Sequence, residues 1–304
     1  MIERDIVVGA NGVALEATLS LPSERAPVGG IVTLHGAAAG SRDFFLYEHL
    51  ARLAADQGWA VLRYDRRPQT GGTIPFDLQA ADALAAVAEL RDRADLPHRA
   101  VGLWGVSQGA WTATVAAADE PDLTFLILVG YSGVSPGQQM RYLTTNLLRQ
   151  HGHDHRALEE LGALRDTLES YLRGDLDRPT AQKQLDILRS RPWFELAWVP
   201  DQLPPLEAVS FPQLFDFDPT EPLAEVDCPV LAIWGSEDAE VPPGTGQQIV
   251  EEVRADARTP TRCELLDGVG HILTTNDVTQ PEALHPNYEA LVTGWLRDHD
   301  PSVP

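Results

Sequence analysis

Hydrophobic and polar positions follow three successive patterns along the chain. Near the N-terminus, Val13, Leu15, Ala17 and Leu19 alternate with Glu16, Thr18 and Ser20 after the turn Gly9-Ala10-Asn11-Gly12, which predicts a half-exposed β-hairpin. From residue 30 the pattern changes to short, continuous apolar runs: 30–34, 59–64, 101–104 and 123–129. Segments with helical spacing separate them, over about 43–57, 77–93 and 107–118. Strands that are apolar throughout, with helices between them, predict a parallel sheet covered on both faces. The rhythm stops at about 131. Met140, Leu143, Leu147 and Leu148 open a helical stretch, further helices are expected near 156–173 and 179–190, and a proline- and aromatic-rich segment runs from Arg191 to Pro212. Alternation returns with a strand at 229–234, a helix near 243–255, a strand near 261–266 and a last helix near 282–299. The expected architecture is therefore α/β: a mostly parallel, doubly wound sheet built from 1–130 and 223–304, with 131–222 as a helical cap.

Composition narrows the function. Hydrophobic residues make up 43% of the 304 and charged residues 22%, enough apolar material for a core and too much for a disordered chain. The formal net charge of −22 repels nucleic acid and anionic membrane surfaces. The N-terminus is charged where a signal peptide is apolar, and no run of about 18 apolar residues spans a bilayer. A cytoplasmic protein is expected. The two cysteines, Cys228 and Cys263, exclude a disulfide framework and read as buried thiols. His151, His153 and His155 alternate in a polar, helix-breaking stretch and read as surface loop; His285 and His299 are expected to be exposed.

The chemistry is concentrated at strand ends. Gly105-Val106-Ser107-Gln108-Gly109 fits G-x-S-x-G between an apolar strand and a helix, where a nucleophile elbow belongs. A serine nucleophile needs a base, and the base an orienting acid. Asp238, just past the strand 229–234, is the preferred acid, with its neighbour Glu237 as the competitor. His271, in Gly268-Val269-Gly270-His271 after the last strand, is the expected base. An ordinary imidazole titrates near 6.5, so activity should rise with pH through neutrality. A tetrahedral oxyanion requires two fixed donors, and the backbone N–H groups of Ala37, in the run Ala37-Ala38-Ala39-Gly40, and Gln108 are assigned to it. His35 reads as a loop-orienting residue. Arg66 could bind a substrate carboxylate, or it and Arg67 could pair with a structural acid.

Together His35-Gly36, Tyr64-Asp65-Arg66-Arg67, Gly105–Gly109, Gly235-Ser236-Glu237-Asp238 and Gly270-His271 make the chain resemble an α/β-hydrolase over nearly its whole length. Residues 60–65, Arg191-Pro192-Trp193-Phe194 and Phe217-Asp218-Pro219 resemble a bacterial serine-esterase branch related to dienelactone hydrolases and prolyl-oligopeptidase-type catalytic domains. Where Tyr-Asp-x-Arg-Gly is common, this chain has Tyr64-Asp65-Arg66-Arg67-Pro68, a change in a loop near the site.

The expected function is cleavage of a small-molecule carboxylic ester by Ser107, His271 and Asp238, with no metal or organic cofactor. Trp193, Phe194 and Trp198 are candidates for an apolar pocket wall in the cap, with anchoring of the cap as their alternative role. An acyltransferase or thioesterase would use the same residues, as would a lyase or C–C hydrolase; a non-catalytic ligand receptor fits least well. The sequence leaves open whether copies of the chain form a homo-oligomer.

Overall fold

The structure, a computed structural model, describes residues 1–38, 40–68, 74–93, 96, 99–208 and 212–302. Its strands are β1 (Ile2–Ala10), β2 (Val13–Leu21), β3 (Gly29–Leu34), β4 (Trp59–Tyr64), β5 (Val101–Val106), β6 (Leu126–Val129), β7 (Val230–Gly235) and β8 (Thr261–Leu266). They form one sheet in the order β1-β2-β4-β3-β5-β6-β7-β8. The β1–β2 and β2–β4 pairs are antiparallel and the rest parallel. The expected hairpin turn is present, with Asn11 and Gly12 both at positive φ (47° and 80°), as a two-residue turn of this hand requires.

The continuous apolar strands are explained by two core layers. Along β7, Val230, Ala232 and Trp234 pack on one side of the sheet, while Leu231 and Ile233 pack on the other. The first layer is closed by α2 (Phe76–Asp92) and α3 (Gln108–Asp119), the second by α1 (Phe45–Asp56) and α10 (Pro286–Asp298). The last helix begins at Pro286, later than the apolar spacing predicts, because proline occupies its first turn and His285 caps it. The strand expected over 123–129 is regular only from Leu126; Phe125 before it fills the space left by Gly102.

Between β6 and β7 lie α4 (Pro136–Gln150), α5 (His155–Leu172), α6 (Arg178–Leu188), α7 (Pro212–Phe215) and α8 (Thr220–Ala224); α9 (Pro243–Val253) follows β7. Helix α4 starts on a capping box between Ser135 and Gln138, with Pro136 in its first turn. This stretch has its own apolar cluster, in which Leu148 of α4 meets Leu161, Leu164 and Leu168 of α5, Leu185 of α6, and Trp193, Phe194 and Leu203. His151 and His153 lie in the polar link between α4 and α5, but His155 is the exposed first residue of α5, facing Glu159.

Three surface expectations are corrected. Cys228 is buried, but Cys263, on the edge strand β8, is only half-buried. Burial pushes both thiols up to about 12. His285 and His299 are half-buried too, His299 because its ring packs on Trp295 and Phe125. Among the described residues no helix is long and apolar enough to cross a membrane.

Candidate active site

Ser107 ends β5 and starts α3 with φ 55° and ψ −122°, a strained conformation for a side-chain-bearing residue. Two hydrogen bonds hold it: its N–H donates to Val129 O (2.8 Å), and Ala110 N–H donates to Ser107 O (2.8 Å). The flanking glycines are dictated by backbone contact. A Cβ on Gly105 would lie 2.3 Å from Gly109 O, and one on Gly109 would lie 2.3 Å from Leu34 O. Strand β3 and helix α3 therefore meet with no room for a side chain, and Ser107 is lifted onto the rim of the sheet.

His271 follows β8, and its ring lies over Gly130, the residue after the Val129 carbonyl that anchors Ser107. Its Nδ1 is 2.7 Å from Asp238 Oδ2. The other oxygen of Asp238 accepts the N–H groups of Glu240 and Val241, each at 2.8 Å, so the carboxylate is fixed in orientation. Glu237 is exposed. His271 Nε2 is buried and has no hydrogen-bond partner, Ser107 Oγ included. Burial alone would lower the pKa of this ring, but the charge and hydrogen bond of Asp238, together with the charges of Glu240 and Asp277, raise it to about 9. The expectation of an ordinary histidine titrating near neutrality is thus corrected: besides Asp238, the charges of Glu240 and of Asp277, six residues further along the chain, act on the ring.

The loop after β3 is held from three sides. Buried His35, whose pKa burial pushes down to about 4, is neutral and bonds Tyr64 O through Nε2 (2.5 Å). Gly36 N–H donates to Tyr47 Oη (3.2 Å). The Arg66 guanidinium donates to the carbonyls of Gly36 (2.5 Å), Ala37 (2.8 Å) and His35 (3.3 Å). Arg66 thus holds three backbone carbonyls through its two terminal nitrogens, while its Nε has no partner and the residue borders the cavity beside Ser107. Arg67 takes the structural acid, making a two-point pair with Asp82. Ala39, in the middle of the loop, lies outside the described residues.

A cavity of about 240 Å³ opens beside Ser107. Ala37, Gln108 and Arg66 border it together with Ile74, Phe76 and Trp111, and Pro136, Met140 and Leu143 of α4 and Leu214 of α7 complete the lining. The aromatic residues singled out as a pocket wall are elsewhere. Trp193 (2% exposed) and Phe194 are packed inside the cluster of α4, α5 and α6, and Trp198 is 60% exposed, in a left-handed conformation after a turn of 3₁₀ helix. None of the three lines the cavity. The wall comes instead from the other face of α4. Its sequence signal was the helical spacing of Met140 and Leu143, which predicts an apolar face without saying what it covers.

Two further contacts of α4 were not legible in the sequence. Tyr142 Oη donates to Asp238 O (3.0 Å), and Asn146 Nδ2 donates to Ala239 O (3.2 Å). The helix that walls the cavity thus also grips the loop carrying Asp238.

Residues 31–285 match the alpha/beta hydrolase family. Over 133 residues the chain is 29% identical to acyl-coenzyme A thioesterase 1 of Rattus norvegicus, a match that covers 42% of this chain and only 30% of that protein. Among solved structures, Est1E from Butyrivibrio proteoclasticus aligns with a TM-score of 0.58 at 16% identity, over 97% of this chain and 96% of that one. A dienelactone hydrolase from Anabaena variabilis aligns at 0.54 with 17% identity, over 98% and 95%. At such identities these two structures bear on the fold alone. The parallel sheet, the strained Ser107 turn and a family match running from β3 to the start of α10 lead to one conclusion: this chain belongs to the alpha/beta hydrolase family.

Proposed function

We propose that this protein is a serine hydrolase that cleaves a carboxylic ester through an acyl-enzyme. The observation that carries the reading is the His271–Asp238 pair, 2.7 Å apart and buried, with Nε2 left unpartnered and the ring against Gly130, next to the Val129 carbonyl that anchors the strained Ser107 turn. Ser107 Oγ attacks the ester carbonyl carbon and gives its proton to His271 Nε2. Asp238 keeps the tautomer that leaves Nε2 free and stabilises the imidazolium. The N–H groups of Ala37 and Gln108 hold the oxyanion. When the acyl–oxygen bond breaks, the proton on Nε2 passes to the leaving alkoxide. Water then attacks the acyl-enzyme, returning one proton through His271 to Ser107 Oγ and releasing the acid.

In this reading residues 131–222 are a cap, and the cavity between α4 and the core takes the acyl group. Its volume equals roughly eight water volumes, which fits a medium-sized apolar acyl chain. A thioesterase is the second reading, supported by the partial match to an acyl-coenzyme A thioesterase. Turnover of p-nitrophenyl esters and thioesters by wild type and Ser107→Ala tests both. The serine variant should stay folded, lose labelling by a fluorophosphonate, and lose about 10⁴- to 10⁶-fold in kcat. Wild-type turnover by Ser107→Ala would overturn the covalent mechanism.

A further inference from the structure

In the proposed mechanism, His271 Nε2 hands its proton to the leaving group, so that oxygen must come within about 3.2 Å of it. The charge next to Nε2 is the Glu240 carboxylate, whose Oε2 is 3.8 Å away. A departing alcohol therefore passes within about 7 Å of this carboxylate. Glu240 is 45% exposed, so its carboxylate reaches solvent while lying beside Nε2. Its position is fixed from behind: its N–H is bonded to Asp238 Oδ1, and the Tyr142 and Asn146 side chains hold the carbonyls of the two preceding residues.

The groups that act electrostatically on Glu240 are His271, Asp238 and Asp277. Asp238 is matched to His271. Asp277, against Gly270, accepts the Ile272 N–H (3.3 Å) and adds a second negative charge that acts on both His271 and Glu240. The cation bordering the site, Arg66, lies on the acyl cavity and is bound to three carbonyls. The two ends of a bound ester would thus meet different fields: an apolar wall with an arginine for the acyl group, and an acidic rim for the alcohol.

We infer that Glu240 is a specificity-determining residue for the leaving group, favouring esters whose alcohol portion carries a positive charge, then neutral ones, and disfavouring anionic ones. The inference rests on the serine-hydrolase reading and deepens it. It sets this chain apart from hydrolysis of coenzyme A thioesters, whose leaving group is strongly anionic. No covalent step differs; only the field around the departing group does.

The test compares substrates of one acyl group. Butyrylcholine and 3,3-dimethylbutyl butyrate have alcohol portions of the same shape, one cationic and one neutral. Butyryl-coenzyme A and butyryl-N-acetylcysteamine form the anionic and neutral thioester pair. In the wild-type protein at low salt, kcat/KM for the cationic ester should exceed that for its neutral isostere by about five- to tenfold, as one half-exposed charge acting over this distance implies. Glu240→Gln should bring that ratio to about 1 and raise the coenzyme A thioester against the neutral thioester by a similar factor. Glu240→Asp should keep both wild-type preferences. Salt at ~1 M, where screening acts within about 3 Å, should flatten them in the wild type. Each ratio is taken within a single protein preparation, so a loss of folded fraction cancels. Ratios that Glu240→Gln leaves unmoved, with every substrate still turned over, would overturn the assignment of Glu240 alone. No turnover of any ester together with no fluorophosphonate labelling of Ser107 would overturn the hydrolase reading and this inference with it.

Discussion

The sheet and the α4–α6 insertion bury apolar residues by different rules. In the sheet, β3 to β7 have every residue buried, with side chains alternating between two layers. An apolar strand residue there has one role, and the residues to which the proposed mechanism gives chemistry, Ser107, Asp238 and His271, all follow strand ends. In the insertion an apolar residue has two available roles. Leu148 points into the insertion's own cluster, while Met140 and Leu143 of the same helix face the cavity. Locating a strand therefore locates a functional residue, but locating a helix does not.

The largest test of this contrast lies at a strand end. Asp238→Asn should lower kcat by about 10⁴-fold, because the amide cannot hold the imidazole tautomer or stabilise its charge. Glu237→Gln, at an exposed position, should change it by no more than a few-fold; equal effects would remove the distinction between the two neighbours. Trp193→Ala comes next. It should destabilise the protein by about 3–5 kcal/mol, lower Tm, and reduce turnover of short and long esters alike. Trp198→Ala, at an exposed site, should stay within about 0.5 kcal/mol of wild type. A change in acyl-length preference for Trp193→Ala without loss of Tm would return it to the cavity wall. Leu143→Ala should do what was first expected of the tryptophans, shifting selectivity toward longer acyl groups by roughly ten- to a few hundredfold. The smallest expected effect is on pH. The base must be neutral, so kcat/KM should rise with pH and reach its midpoint above the ordinary histidine value of about 6.5, toward about 9. Because the folded-state pKa is the raised one, the stabilisation from protonated His271 is complete below about 6.5 and is lost as pH rises through about 9. A kinetic midpoint at or below 6.5 would show that the carboxylates around the ring, Asp238 first and then Glu240 and Asp277, do not outweigh its burial.

Most of the fold, and the core half of the site, was legible because backbone constraints write directly into residue type. Gly105 and Gly109 are glycines because a Cβ would strike backbone atoms, so the elbow announces itself wherever strand, serine and helix coincide. What was not legible depends on segments far apart in the chain. Arg66 looked equally able to hold a substrate or the protein, and only the path of residues 35–37 decides that it holds three carbonyls. The raised pKa of His271 reflects Asp238 first, a residue 33 positions earlier in the chain, and then Glu240 and Asp277, each unremarkable in its local sequence. Trp193 and Trp198 differ by five positions and by nearly the whole range of exposure, since a 3₁₀ turn and a positive φ separate them.

The grip of α4 on the acid loop has a consequence for how the molecule would open. Tyr142 and Asn146 bond to the carbonyls of Asp238 and Ala239 from the helix whose Met140 and Leu143 close the cavity. A movement of α4 wide enough to admit a bulky ester or release its acid must break these two bonds or drag the loop with it. In the first case the loop that sets Asp238 against His271 loses its outer support, and in the second it is displaced together with the helix. Entry and reactivity would then be phases of one cycle, with substrate loading while the base is loosely held and chemistry after the helix has settled. Under that coupling, the closing rate of α4 sets an upper limit on turnover.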